Sequence, residues 1–123
     1  MSDRIEYVIS LALAEMRALH GIEFSREDIF GPQRQRMLTR VRRWIWYLAY
    51  YHPALRWSYP IIGRHFNRDH TTVLYHVHLI RERMKDGLAE ADRAVIARIC
   101  EKMRGHFRVV AVEGKNENER VDR

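Results

Sequence analysis

Ile62-Gly63-Arg64-His65-Phe66-Asn67-Arg68-Asp69-His70-Thr71-Thr72-Val73-Leu74 is the stretch that decides the fold of this chain. Its second half reads as the opening of a helix. Asp69 is a candidate N-cap, its carboxylate placed to accept a backbone N–H two or three residues on. Val73, Leu74, Val77 and Ile80 recur at helical spacing and predict one buried face. His70, Thr71 and Tyr75 fall on the opposite face, and Arg68 stands at the free end. Upstream, Ser58 opens a short helix with Pro60 in its first turn, where a missing N–H costs little. Gly63 and Phe66-Asn67 lead into a tight turn. Short helix, turn, capped longer helix is the pattern of a helix-turn-helix, whose second helix suits a DNA major groove entered N-terminus first.

Working outward, Ile5, Val8, Ile9, Ala12, Leu13, Met16 and Leu19 mark a first amphipathic helix ending near Gly21. Ser25 followed by Asp28 predicts a capped short turn of helix before Gly31-Pro32 breaks the chain. A long helix is expected over 36–51, with Leu38, Val41, Ile45 and Leu48 inward and Pro53 preventing its continuation. After Gly87, the residues Leu88, Ala91, Val95, Ile99 and Met103 describe a final helix ending near Gly105. Residues 108–112 are a candidate extended piece. From Glu113 onward the chain is polar, charged and without periodicity, which predicts disorder. The fold class is all-α, with one domain over 1–112 and a charged tail over 113–123.

At 123 residues the chain suits one domain with a moderate core. No apolar run approaches the length of a membrane span, and the first residues lack a signal-peptide pattern, so a cytoplasmic location is expected. The single cysteine, Cys100, lies among Ile96, Ile99 and Met103 and reads as a buried thiol. Net charge is +6, but its distribution says more: residues 34–85 hold eleven Arg or Lys against only Asp69 and Glu82, a local +9. A basic middle between neutral or acidic ends is an electrostatic footprint for phosphate.

Asp69, His70 and Thr71 are the candidate base readers. A carboxylate accepts from cytosine N4, a threonine methyl packs on the thymine methyl, and an imidazole donates or accepts at a base edge. Asp69 can act as a plain N-cap at the same time. Arg68 and Thr72 are better placed for phosphate. Ser58 can cap its helix and donate to phosphate, and Arg64 shares that helix. His65, His70, His76 and His78 invite a metal reading, yet no two stand at the i, i+4 spacing of zinc helices. The chain holds no Gly-x-x-x-x-Gly-Lys phosphate loop, no serine or cysteine nucleophile pattern and no paired-carboxylate site. Neither catalysis nor a cofactor or nucleotide is therefore expected. Trp44, Trp46, Tyr47, Tyr50 and Tyr51 crowd the long helix; core packing is the expectation, with an exposed Trp46–Tyr50 pair beside Arg43 as the alternative.

The string from Ile62 to Leu74 resembles the signature of the C-terminal DNA-binding domain of the bacterial replication initiator DnaA. Most of the chain, roughly residues 5 to 107, can be laid against that domain. The resemblance implies a Trp-repressor-like helical domain that recognises a DnaA-box-like site in double-stranded DNA, with Asp69, His70 and Thr71 on bases and Arg68 on the backbone. Ser58 and Pro60 match the start of the family's first motif helix, which crosses the phosphate strand. Laid without gaps from Asp28 to Ala49, Arg34 falls on the family's minor-groove arginine and Arg42 on a phosphate-contacting arginine; Arg36 is an alternative for the inserted residue.

The chain departs from the family in a longer link over 52–57, in Asn67 where many members have two glycines, and in His76 and Leu79. A full initiator carries a nucleotide-binding motor ahead of this domain. The resemblance therefore implies a stand-alone binding domain, acting as a nucleoid-associated monomer that modulates initiation or transcription, with a replication protein as a further partner. Two alternatives are a transcriptional regulator with its own diverged operator and a protein-interaction module.

Overall fold

The computed structural model describes residues 2–106, over which six helices follow one another: α1 (Ser2–His20), α2 (Arg26–Phe30), α3 (Arg36–Tyr51), α4 (Tyr59–Phe66), α5 (His70–Lys85) and α6 (Glu90–His106). The chain folds all-α, as its periodicity predicts. Phe107, the strand-like piece expected over 108–112 and the charged tail over 113–123 lie outside the described residues.

α3 is the axis of the molecule and packs against each of the other helices. Its sequence explains why. Leu38, Val41, Ile45 and Leu48 are buried on the expected face, and Trp44, Trp46 and Ala49 widen it, so α3 meets several helices at once while Arg36, Arg40 and Arg43 keep its remaining side polar. Trp46 is 1% exposed, which decides for core packing, while Tyr50 stacks on Tyr59. α6 closes over α1 on the far side, where Arg98 pairs with the buried Glu15 at 2.7 Å. Four expected core positions are corrected. Leu19 lies in the last turn of α1 and is 44% exposed. Leu88 precedes α6 in the α5–α6 turn and is 68% exposed, and Ala91 faces out; Ala89 and Ile96 take their places. Leu74 is 38% exposed, because the buried stripe of α5 runs Val73, Val77, Ile80, Met84 and Leu74 sits at its edge.

The local signals hold where they rest on caps and turns. Ser25 and Asp28 form a reciprocal capping box: Ser25 Oγ accepts from Asp28 N at 3.2 Å, and Asp28 Oδ2 accepts from Ser25 N at 2.8 Å. Ser58 Oγ accepts from Ile61 N at the start of α4, with Pro60 in the first turn. Asn67 ends α4 in the left-handed conformation (φ 59, ψ 49), its N–H turned back to α4 carbonyls. The turn then presses against α4. A Cβ on Gly63 would stand 2.5 Å from Arg68 O and 3.3 Å from His70 N, and Arg68 N donates to Gly63 O at 2.7 Å.

That crowding gives a first prediction. Gly63→Ala must push the Arg68 carbonyl away and lose the turn hydrogen bond, so it should cost about 1–3 kcal/mol in urea unfolding. An unchanged midpoint would mean that the turn relaxes without strain.

Candidate nucleic-acid interface

α4 and α5 bracket a turn that leaves the first residues of α5 in solvent. The side chains of Asp69 and His70 are 69% and 54% exposed, and Thr71 is exposed beside them. The backbone of Asp69 caps α5, its carbonyl accepting from Thr72 N and Val73 N. Its carboxylate does not accept a backbone N–H, contrary to the capping expected of it. Oδ2 instead accepts from Thr71 Oγ1 at 2.9 Å, and Oδ1 lies 3.7 Å from His70 Nδ1, an ion pair when the imidazole is protonated. The three candidate base readers thus form one small polar cluster at the free end of α5. Tyr75, one turn on, is 59% exposed on the same side. Ser58 and Pro60 sit at the open start of α4.

The loop between α2 and α3 carries the exposed Arg34, with Arg36 exposed at the first position of α3. What holds this loop is Arg42. The residue is 3% exposed, and its guanidinium donates to four backbone carbonyls: Nε to Ile29 O, Nη1 to Gln33 O, and Nη2 to Asp28 O and Gly31 O. Burial, followed by repulsion from Arg68, lowers its pKa to about 10, which leaves it charged at neutral pH. The expected phosphate contact is corrected here, since four of the five guanidinium hydrogens are committed inside the protein. Sequence reading missed this because spacing shows an arginine on a helix and not the carbonyls that converge on it.

Arg68 reaches the same loop from the other side. Its Nη2 donates to Gly31 O at 2.7 Å, and its Nη1 donates to Phe66 O and Asn67 O. The Gly31 carbonyl therefore accepts from two guanidinium groups, and the loop is tied to the turn before α5. Among the described residues, Arg68 keeps Nε–H and one Nη2 hydrogen free of such contacts. An open groove of about 580 Å³ runs between loop and helix, bordered by Arg34, Arg42, Asn67, Arg68, Thr72 and His76. Burial first, and then Arg34, holds the Arg68 pKa below its ordinary value. Cations that repel one another in a groove generate a field that attracts phosphate.

His76 closes the inner end of this groove. Its Nδ1 accepts from Arg43 Nε at 3.0 Å, so the neutral ring carries its proton on Nε2. Burial, reinforced by Arg43, Arg42 and Arg68, lowers its pKa to about 4. The four clustered histidines of the sequence part company in three dimensions. His65 packs edge-on against Phe30, Trp57 and Phe66, while His70 stands beside Asp69. Among the described residues no three metal-ligating groups converge, and no helix is long and apolar enough to cross a membrane.

A short helix, a left-handed turn and a second helix with an exposed polar N-terminal end, flanked by a basic loop, define a helix-turn-helix module of the kind that binds DNA. Residues 20–80 match the family of the bacterial DnaA protein helix-turn-helix. Over that segment the chain belongs to this family of double-stranded-DNA-binding modules. The match spans α2, α3, α4 and α5 as far as Ile80, which is narrower than the 5–107 expected from the resemblance. No solved structure matches the chain.

Two predictions come from these contacts. Arg42→Met leaves the Ile29, Asp28, Gly31 and Gln33 carbonyls without their donor, and should cost about 2–4 kcal/mol of stability in urea unfolding. Arg42→Lys should not restore it, because an ammonium cannot span the fork. A stable Arg42→Met protein would remove the clamp assignment. The second concerns pH. The folded pKa of His76 lies below its ordinary value of 6.5, so the unfolded chain takes the proton first as pH falls. The stability contributed by neutral His76 is complete above about pH 6.5 and is lost as pH drops toward 4. His76→Gln should flatten the fall in urea midpoint across that window. His52 and His65, also pushed down by burial, should leave a residual slope.

Proposed function

We propose that this protein recognises a DnaA-box-like site in duplex DNA as a monomer, with α5 in the major groove and Arg34 in the adjacent minor groove. The observation that carries the reading is the double hold on Gly31 O, which fixes the basic loop against the turn that presents α5. A binder that uses two grooves at once needs both contacting elements set at one spacing before it meets DNA, since ordering them on binding costs affinity. In this reading Asp69, His70 and Thr71 take the base edges. Arg68 and Thr72 take phosphate beside them, and the strand crosses the start of α4 at Ser58 and Pro60. The Ser58 hydroxyl can donate outward while its oxygen caps Ile61 N. Arg42 supports the loop rather than the strand. The chemistry is recognition without turnover, on the nucleoid, and its effect is to modulate initiation or transcription at such sites.

The test is fluorescence anisotropy on a labelled duplex containing a DnaA box and on a scrambled duplex, across a salt series. Selective binding that persists near physiological salt is expected, whereas equal and salt-labile binding to both duplexes would sink the proposal. His70→Ala and Thr71→Ala should each narrow the gap between the two duplexes by about 1–3 kcal/mol. Thr72→Ala should weaken both duplexes alike and leave the salt dependence unchanged, because it removes a phosphate contact without removing a charge.

A further inference from the structure

A second groove, of about 680 Å³, opens beside the first, with Thr39 bordering both. It lies between the first turns of α3, the last turns of α5, and the α5–α6 turn. Four arginines face it: Arg36, Arg40, Arg43 and Arg83. Two are already engaged. Arg40 pairs with Asp92 at 2.9 Å, and Arg43 Nε is held on His76 Nδ1. Arg36 and Arg83 are exposed, and their guanidinium groups make no hydrogen bond or ion pair with the described residues. Between these charges lies an apolar strip of Met37, Ile80, Ala89 and Leu88, the last of them 68% exposed.

We propose that this groove docks an acidic, amphipathic peptide segment of a partner protein, its carboxylates on Arg36 and Arg83 and its apolar residues on the Met37–Ile80–Leu88 strip. Charge complementarity selects the sign of the occupant. The groove itself shows the pairing: Asp92 lies on Arg40 and also accepts from Trp44 Nε1 at 2.7 Å, so a carboxylate is at home in this wall. The apolar strip then favours peptide over nucleic acid. A phosphate strand gains nothing from an exposed leucine, whereas an amphipathic helix buries its apolar face in such a groove. Position agrees with this. Ile80 lies ten residues beyond His70, about 15 Å back along α5 from the end proposed to meet bases. An occupant would therefore sit behind the recognition end, with Arg36 as its nearest approach to the basic loop.

The probe is a fluorescein-labelled peptide of about twelve residues, glutamate-rich with leucines at i, i+3, i+4 and i+7, titrated with the whole chain at near-physiological salt. Saturable binding is expected. Arg83→Glu and Leu88→Asp should each weaken it by at least about tenfold, since each removes a central contact of opposite type. Both side chains are exposed, so urea unfolding of each variant should match the parent and exclude misfolding as the cause. Duplex-DNA affinity should be unchanged in Leu88→Asp. No saturable peptide binding, or equal binding to the parent and both variants, overturns the proposal. Loss of duplex binding in Arg83→Glu equal to the loss of peptide binding also overturns it, and makes the groove a path for the phosphate strand.

Discussion

Everything at the exposed end of α5 depends on one buried cation. Arg42 projects from the central helix into a ring of carbonyls from residues 28 to 33, and that ring is what gives the α2–α3 loop a shape. A buried charge is tolerated only where its donors are satisfied, and here the fork geometry of guanidinium meets several acceptors at once. The loop gains as much as the arginine does, because backbone carbonyls turned inward need donors of their own. Gly31 O then carries the arrangement across to Arg68. The basic loop, the central helix and the turn of the helix-turn-helix are thereby mechanically one piece.

The fold was legible in the sequence to the extent that it rests on local chemistry. Ser25–Asp28, Ser58 with Pro60, and Asn67 each announce a cap or turn through side-chain chemistry that acts within a few residues, and each is found in that role. Helix periodicity was equally readable over α3, whose expected ends coincide with those observed. The errors cluster at the margins of apolar stripes. Leu19, Leu74 and Leu88 have the right residue type at nearly the right spacing, but a stripe's edge is set by where the neighbouring helix ends, which spacing does not carry.

The interface was legible as a set of residues and not as an arrangement. The exposed triad of Asp69, His70 and Thr71 follows from their place at the start of a helix whose apolar stripe begins at Val73. That Asp69 binds the Thr71 hydroxyl instead of a backbone N–H is a matter of rotamer, decided by a contest between acceptors of similar strength. Arg42 is the larger lesson. A basic residue in a basic segment reads as surface, yet its neighbours in space are carbonyls contributed from 9 to 14 positions away. Backbone acceptors leave no mark in a sequence. The pairing of Arg43 with His76 joins two side chains and is hidden instead by the 33 residues between them.

The link between α3 and α4 is anchored at each end by contacts that take little from its middle. Tyr50 and Tyr59 stack in parallel with centroids 4.1 Å apart, and Trp57 N donates to Ala49 O at 2.8 Å, so the two helix ends stay in register whatever lies between. Arg56 takes the left-handed conformation (φ 55), and Leu55 is buried, so the link folds back on itself as a compact loop. Once the ends of a loop are fixed by their own contacts, lengthening it adds only a slowly growing closure entropy, about 0.6 kcal/mol per doubling. Segment length at this point is therefore nearly free to drift. The end of α3 and the start of α4 are thus held together by the tyrosine stack and the Trp57–Ala49 hydrogen bond, and not by the number of residues spanning them.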